Sequence, residues 1–454
     1  MRVEQLPLFE TELEAPPSSP TSHSSVGFND PAFAANKARP IHRWVPWIAG
    51  FSSDFVRDAL RRYLPRRGTV LDPFAGVGTT LVEAILLGHR AIGFEINPYA
   101  ALACHVKLQA HTIRVSDLYE AIHQFQSFYQ ERVFSDYTPV STPPPGFKTR
   151  TAFYSPRVLR KVLILQDFIA TIEDRRLRDL FRLAFASTMV RYSNYSYEPS
   201  LSRRTSAGKP EIEDFPVAQT ILSKLLEMAE DILWLQDHLQ GREVEAQVIN
   251  DSFFQYQSYL TPASVDLVLT SPPYLNNYHY NRNTRPQLYW LGYVKTPRDM
   301  RPLEQANFGK YWQTVRNRAP MTLSFELPGT DLVERLRRLQ KTNSDRKAYG
   351  GHGWANYAIA YFNDCHRFAQ GILELLKPGG TALVVIGNSI LQGILIPTDR
   401  YFAAIAESVG LELVRIDVPR TARVGNSIIQ SDVRVAHAQD SHSLYEAVIE
   451  LRKR

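Results

Sequence analysis

The sequence has little cysteine and no long apolar segment. Its 454 residues contain two cysteines, Cys104 and Cys365, which lie far apart and outside any cluster of ligand residues. A disulfide framework is therefore excluded, no metal site is predicted, and a reducing cytoplasm is the expected compartment. No apolar run approaches the roughly 18 residues of a membrane span, and the N-terminus lacks a basic-then-apolar signal pattern. We therefore expect a cytoplasmic protein that does not act at a membrane.

The charge balance gives only weak information about the partner. The formal net charge is +6 and the isoelectric point is about 9.1, which is mildly basic. This is compatible with a nucleic-acid partner, but basic enzymes with small substrates are also common. The hydrophobic fraction of 44% is enough for one large core that carries a second lobe or big insertions.

The clearest structural unit is the stretch GTVLDPFAGVGTTLVEAILLGHRAIGFE. Its pattern predicts a short strand over 70–71, a glycine turn over 72–78 and a helix over 79–87. A second strand over 91–94 follows and ends at Glu95. A strand, a glycine turn, a helix and a further strand form the start of a doubly wound α/β domain.

The α/β pattern is interrupted by two insertions. Counting the later apolar runs gives about seven strands, mostly of the buried kind found in parallel sheets. We predict the fold as α/β, with a doubly wound, mostly parallel, seven-stranded Rossmann-like sheet and a large helical insertion. The predicted parts are a disordered arm over 1–38, an α/β domain over 39–111, 244–274 and 354–454, a helical insertion over 112–243 and a second insertion over 275–353.

The motif DPFAGVGTT has the context of a cofactor loop, because it follows a strand and opens a helix. Glu95 ends the next strand about twenty residues later, where a ribose diol would lie. No Lys-Ser/Thr pair follows the glycines, and Thr79 and Thr80 interrupt the dinucleotide pattern after Gly78. A helix start without a ligand is the simplest alternative. A ligand with ribose but no phosphate fits the motif better, and S-adenosylmethionine is such a ligand.

The motif LTSPPYLNNY ends another apolar strand with a hydroxyl, two prolines and a phenol. Tandem prolines stop the sheet and fix the backbone that follows. Ligands of open α/β sheets bind at the carboxyl ends of the strands. We therefore expect Ser271–Tyr274 to lie at the same sheet edge as Asp72 and Glu95.

Together, FAGVG and TSPPY resemble the amino-methyltransferases of DNA, which methylate the exocyclic nitrogen of cytosine or adenine. The resemblance covers about 40–110 and 244–274, and more loosely 357–450, but neither insertion. It implies a methyltransferase sheet, S-adenosylmethionine as cofactor and double-stranded DNA as partner. Cytosine enzymes with this tetrapeptide commonly carry it before the cofactor motif, whereas here the cofactor motif comes first. The permuted order leaves open which insertion recognises the target sequence.

The resemblance also implies roles for individual residues. Ser271, Pro272, Pro273 and Tyr274 correspond to the catalytic tetrapeptide. In this interpretation the serine hydroxyl and the Pro272 carbonyl accept the N–H bonds of the target amine, and the tyrosine stacks on a flipped base. The residues that it implies for cofactor binding are Phe51, Ser52, Asp72, Phe74, Ala75, Gly76, Gly78, Thr79, Glu95 and Asp251.

The identity of the base follows from the first tetrapeptide position. Serine there mostly accompanies cytosine in the family, so the resemblance favours N4-methylcytosine formation in a restriction-modification or defence context. A cognate restriction endonuclease would be the protein partner in that context. The alternatives are an adenine-N6 enzyme, an RNA amino-methyltransferase and a DNA-binding protein that has lost catalysis.

Two polar stretches, 194–209 and 276–290, interleave arginines with aromatic residues. A solvated loop is the simplest explanation for one such run, but two of them beside the tetrapeptide motif favour DNA contact. The candidate DNA-binding residues are Arg203, Arg204, Tyr278, Arg282 and Arg285.

Overall fold

A computed structural model gives the fold and describes residues 33–47, 52–197, 200–275, 280–341, 352–422 and 444–454. Most of the arm predicted over 1–38 lies outside these residues, and its last part, Phe33–Ala38, forms a 3-10 helix. No helix in the described ranges is both long and apolar enough to cross a bilayer.

A seven-stranded sheet occupies the centre of the molecule. Its strands are β1 (Thr69–Asp72), β2 (Arg90–Phe94), β3 (Ala246–Ile249), β4 (Val265–Thr270), β5 (Leu376–Gly387), β6 (Glu412–Ala422) and β7 (Leu444–Arg452). Their order across the sheet is β6-β7-β5-β4-β1-β2-β3. In this spatial order, every neighbouring pair from β5 through β4, β1 and β2 to β3 is parallel. The strand β7 is antiparallel to both of its neighbours, β5 and β6. The predicted mostly parallel, doubly wound sheet is therefore confirmed.

Helices cover both faces of the sheet and build two hydrophobic cores. Val70 and Leu71 are adjacent on β1 and enter opposite cores, because successive strand side chains point to opposite faces. One core contains residues of α1 (Ser53–Tyr63), α2 (Thr79–Leu86), α3 (Pro98–Gln109), α4 (Val115–Val133), α5 (Pro156–Thr171), α6 (Arg175–Thr188), α7 (Val217–Leu239), α9 (Arg285–Trp290) and α10 (Met300–Ala306). The other contains residues of α11 (Trp312–Val315), α12 (Leu332–Lys341), α13 (His352–Leu375) and α14 (Thr398–Ser408), and the short α8 (Tyr280–Asn283) precedes α9. The result is a three-layer α/β/α arrangement.

Two small hairpins accompany the central sheet. One pairs Tyr195–Tyr197 with Leu201–Arg203, within the range of the predicted helical insertion. The other pairs Ser389–Leu391 with Ile394–Ile396.

The segment before α1 is fastened to the helical insertion by one buried carboxylate. Asp231 on α7 accepts hydrogen bonds from the Ile41 backbone N–H (2.7 Å), from Nε and Nη2 of Arg43 (3.1 and 2.7 Å) and from Nε1 of Trp44 (2.8 Å). Ile41 has a positive φ of 65°, which is unfavourable for a β-branched residue. These bonds hold the strained turn and lead the chain to Trp47 at the edge of the sheet.

Candidate active site

The glycine turn between β1 and α2 has the backbone that its sequence predicts. Gly76 and Gly78 have φ values of 53° and 87°, a region that favours glycine. The Gly76 N–H donates a hydrogen bond of 2.9 Å to Oε2 of Glu95. A Cβ added at Gly78 would lie 2.7 Å from Sγ of Cys104 on α3. Both glycines therefore allow the loop to run close to its neighbours.

A buried lysine on α3 donates a hydrogen bond to the backbone of the same loop. Lys107 on α3 is fully buried and donates a hydrogen bond of 3.0 Å from Nζ to the Val77 carbonyl oxygen. Burial lowers the pKa of Lys107 to about 7, because an ammonium group loses its hydration there. The role of Lys107 was not predicted, since a lone lysine in a helix carries no local sequence signal.

Two acids at the ends of β1 and β2 face the turn. Oδ1 of Asp72 accepts hydrogen bonds from Oγ1 of Thr270 (2.6 Å) and from the Phe74 backbone N–H (3.0 Å). Burial raises the pKa of Asp72 to about 6 and that of Glu95 to about 7, although the hydrogen bonds that both carboxylates accept act in the opposite direction. Both acids therefore change protonation state just below or near neutral pH.

The two motifs line one cleft, although the bonded Asp72 and Thr270 are 198 residues apart in the chain. The cleft encloses about 950 Å³ of empty space, part of it open to solvent. The predicted residues that line it are Asp72, Phe74, Ala75, Gly76, Thr79, Glu95, Asp251, Ser271 and Pro273. The carboxyl ends of β1 to β4 thus meet at one edge, as expected for parallel strands.

The chemistry of the cleft wall is acidic and aromatic. Three carboxylates line it, and within the described ranges its wall contains no lysine, arginine or histidine. The Phe74 ring packs edge-on against Phe308 with centroids 5.2 Å apart, and Trp47 stacks on Tyr280 with centroids 5.8 Å apart. Such a wall suits a ligand that carries positive charge and hydroxyl groups and does not suit a phosphate.

Several lining residues were not predicted individually. The resemblance assigns the segment 47–53, which includes Phe51 and Ser52, to a motif that closes over the methionine part of the cofactor, and Trp47 of this segment lines the cleft. The other lining residues had no individual role assigned from the sequence, and they are Pro73, Val77, Thr80, Phe94, Ile96, Asn97, Ser252, Phe253, Phe254, Tyr280, Asn281, Ala306, Asn307 and Phe308. Asn97 was detectable as a helix cap, whereas Asn281 and Asn307 come from the second insertion and have no local motif.

Other predicted residues take different positions. Ser52 caps α1 by accepting a hydrogen bond of 3.5 Å from the Phe55 N–H, and it does not line the cleft. Gly78 and the buried Pro272 also stay behind the cleft surface. Phe51 and Tyr278 lie outside the described residues.

Tyr274 points toward the sheet. Its hydroxyl donates a hydrogen bond of 3.0 Å to Oε1 of Glu446 on β7 and lies 3.5 Å from Oγ of Ser271. A Cβ added at Gly387 on β5 would lie 3.0 Å from the tyrosine ring, so the missing side chain there makes room for it. In this position Tyr274 does not line the cleft.

A second cleft of about 1250 Å³ opens beside the first. The residues that line both clefts are Pro273, Tyr280, Asn281, Asn307 and Phe308. Arg282, Arg285 and Lys310 line only the second cleft, which makes it the basic side of the site.

The predicted DNA-binding arginines differ in how they are held. Arg282 is exposed in the second cleft and makes no hydrogen bond to any described part of the chain. Arg285 donates to the Lys148 carbonyl oxygen at 3.0 Å. Arg204 donates from Nε to the Pro210 carbonyl oxygen at 2.9 Å, and Arg203 is half-buried in the first hairpin.

The structure joins the two arginine-containing stretches. The Tyr197 hydroxyl donates to the Asn283 carbonyl oxygen, and the Leu201 N–H donates to Oδ1 of Asn283, each at 2.9 Å. The hairpin of the helical insertion therefore sits directly on α8, and both stretches form one continuous surface.

Comparison with known proteins agrees with this geometry. Residues 35–104 match the family of N6 and N4 methyltransferases described as DNA methylase. The chain is 24% identical over 436 residues to the Type II methyltransferase M.BsoBI of Geobacillus stearothermophilus, covering 87% of this chain and 83% of the relative. It is 24% identical to M.AvaI of Nostoc sp. over 89% of this chain and 86% of the relative. It is 22% identical to M.MvaI of Kocuria varians over 78% and 77%, respectively.

Proposed function

We propose that this chain, which belongs to the DNA amino-methyltransferase family, transfers a methyl group from S-adenosylmethionine to the exocyclic amine of a cytosine flipped out of DNA. The observation that carries the proposal is the shared cleft, in which Ser271 and Pro273 lie beside Asp72, Gly76 and Glu95. Its relatives named as Type II methyltransferases support a restriction-modification role.

The cleft wall fits this cofactor. S-adenosylmethionine supplies an activated methyl group on a positively charged sulfur and also carries an ammonium group, a ribose and an adenine, but no phosphate. Asp72 would accept the ammonium group, Glu95 the ribose hydroxyls and Asp251 the adenine amine. The positive φ of Gly76 turns its N–H onto Glu95, which orients that carboxylate in advance.

Ser271 and the prolines would prepare the amine. The lone pair of an exocyclic amine is delocalised into the ring, so the amine is a weak nucleophile. Acceptors on its N–H bonds favour a pyramidal nitrogen whose lone pair points at the methyl group. Oγ of Ser271, which lines the cleft, would be the first of these acceptors. The resemblance implies the Pro272 carbonyl oxygen as the second, although Pro272 is buried and does not line the cleft, and the proline rings fix the backbone that carries both groups. No covalent bond to the base is required.

Cytosine is the proposed base because serine occupies the first tetrapeptide position, as in the cytosine enzymes that the motif resembles. The adenine-N6 reaction is the second candidate, since the matched family includes both types. The amines of cytosine and adenine are weak nucleophiles for the same reason, and each lies next to a ring nitrogen. The same acceptors would therefore serve either base.

The assay that decides between these reactions is direct. We expect tritium from labelled S-adenosylmethionine to enter unmethylated DNA and to appear in N4-methylcytosine after enzymatic hydrolysis. Total RNA serves as the parallel acceptor. Label in N6-methyladenine would show that the methylated base is adenine and not cytosine. Label confined to RNA would reject DNA as the substrate.

Cofactor binding should weaken as the pH falls. The ionised forms of Asp72 and Glu95 accept the cofactor's donors, but their raised pKa values of about 6 and 7 leave them increasingly protonated below neutral pH. We expect the Kd for S-adenosylhomocysteine to be lowest near pH 8 and to rise up to about tenfold per pH unit between pH 7 and 6, where Glu95 is protonated. Below pH 6 the rise should be steeper, because Asp72 is then protonated as well. Isothermal titration calorimetry from pH 8 to 5.5 measures this change.

Matched variants identify the groups responsible. Glu95→Gln should weaken binding at pH 8 and flatten the profile between pH 8 and 6. The exposed Glu243→Gln, which makes the same chemical change away from the cleft, should leave the profile unaltered. A Kd that stays constant down to pH 5.5 in the wild type would show that these carboxylates do not bind the cofactor.

A further inference from the structure

Two side-chain amides stand where the two clefts meet. Asn281 on α8 and Asn307, which follows α10, line both clefts, and Ser271 lines the first of them. Nδ2 of Asn281 donates a hydrogen bond of 3.3 Å to Oδ1 of Asn307. A base that comes from the basic cleft and presents its amine to Ser271 would therefore lie next to this pair.

The orientation of the amides is set by a helix cap. Oδ1 of Asn97 accepts hydrogen bonds from the backbone N–H groups of Tyr99 and Ala100 at the start of α3, at 3.1 and 3.4 Å. Its Nδ2 must therefore point the other way. It donates to Oγ1 of Thr284 at 2.8 Å and to Oδ1 of Asn281 at 3.3 Å. An amide nitrogen cannot accept a hydrogen bond, so this contact fixes which end of Asn281 faces Asn97.

The same logic continues along the chain of amides. With its oxygen facing Asn97, Asn281 presents its nitrogen to Asn307. Asn307 must then use its oxygen to accept that bond and is left with Nδ2 as the free end. Nδ2 has no acceptor among the described residues, and the side chain is half-buried. The cap of α3 thus directs an N–H donor into the junction of the clefts.

We propose that Asn307 recognises the target base by donating a hydrogen bond from Nδ2 to the ring nitrogen beside the exocyclic amine. This inference rests on the proposed function and names a specificity residue for it. Cytosine offers N3 as an acceptor at that position, and adenine offers N1. Thymine and guanine carry N–H donors at the corresponding ring nitrogens, which would face the Asn307 donor. The amide chain therefore selects the amidine group shared by the two amino bases.

The test removes the donor and keeps the shape. Asn307→Asp replaces the amide nitrogen by an oxygen that only accepts when ionised. With unmethylated double-stranded plasmid DNA as methyl acceptor, we expect kcat/KM for DNA at pH 8 to fall about 10- to 100-fold, as expected when a buried polar contact becomes unfavourable. The Kd for S-adenosylhomocysteine should stay within about twofold of the wild type, which also shows that the variant is folded.

The charge change needs its own control. Gln305→Glu introduces the same negative charge on α10, two residues away, on an exposed side chain that lines neither cleft. It should retain most of the activity. The N307D activity, expressed relative to wild type at each pH, should rise between pH 8 and 5.5, because a protonated carboxyl regains a donor. A purely structural role would not produce this recovery.

A second variant tests the amide chain itself. Asn281→Asp keeps the acceptor for Asn97 but can no longer donate to Asn307, so kcat/KM for DNA should fall about 3- to 10-fold. If the wild type is active and N307D loses no more activity than Q305E, the inference alone is overturned. A wild-type chain that transfers no methyl group to DNA would overturn the proposed function as well.

Discussion

Replacing Asp231 with alanine is expected to lower the free energy of unfolding by about 3–5 kcal/mol. The carboxylate is 1% exposed and accepts bonds from the Ile41 N–H, the Arg43 guanidinium and the Trp44 indole. Its removal leaves two buried donors without this acceptor, and Arg43 keeps only the longer ion pair with the exposed Glu230, at 3.8 Å. Urea unfolding followed by tryptophan fluorescence measures the loss.

The same substitution should also weaken cofactor binding. The turn at Ile41 would relax from its strained φ, and Trp47, which lines the cleft proposed for the cofactor, would lose its fixed position. Asp237→Ala removes an exposed carboxylate from the same helix and should change stability by less than about 0.5 kcal/mol. If D231A and D237A unfold at the same urea concentration, Asp231 does not fasten this segment.

Replacing Ser271 with alanine is expected to lower kcat by about 10²- to 10³-fold, the usual cost of losing one preorganised polar group at a reacting centre. Oγ of Ser271 is a proposed acceptor for the target amine. Alanine has no such oxygen, so one N–H bond of the amine would lose its acceptor. The cofactor contacts assigned to Asp72, Glu95 and Asp251 are untouched. The Kd for S-adenosylhomocysteine should therefore remain within about twofold.

The matched control lies at the other end of the same strand. Ser264 precedes β4, and its hydroxyl donates to the Thr261 carbonyl oxygen, far from the cleft. Ser264→Ala should leave single-turnover methyl transfer close to the wild-type rate. An S271A variant that is equally active would remove the serine from the reaction and leave the Pro272 carbonyl as the only proposed acceptor.

The sheet and its ligand edge could be predicted from the sequence because both depend on short-range patterns. Apolar runs followed directly by Asp72, Glu95, Asp251 and Ser271 identify four strand ends, and parallel strands bring such ends to one edge. The comparison with DNA methylases confirms the resemblance inferred from the two motifs. The assigned roles of the individual side chains stay predictions.

The remaining parts of the site depend on packing between distant segments. Nothing near Asn307 in the sequence indicates that α8 and α3 orient its amide, and nothing near Asp231 indicates that it receives three residues from the N-terminal segment. Side-chain direction is also set by tertiary contacts. Tyr274 occupies the last position of the tetrapeptide motif, but the motif does not indicate that its ring lies against Gly387 and that its hydroxyl reaches Glu446.

The Asp231 contacts also bear on the order in which the chain folds during synthesis. The bonded partners are separated by 187 to 190 residues, so these bonds form only after α7 has left the ribosome. The contact of His42 with Glu83 on α2 joins residues only 41 positions apart and can form earlier. The acids of β1 and β2 emerge long before that point. Until then the nascent chain carries the acids of the proposed cofactor site at an open sheet edge, and contacts of such long range form slowly. We therefore expect the proposed methyl donor to bind only after more than half of the chain has been synthesised.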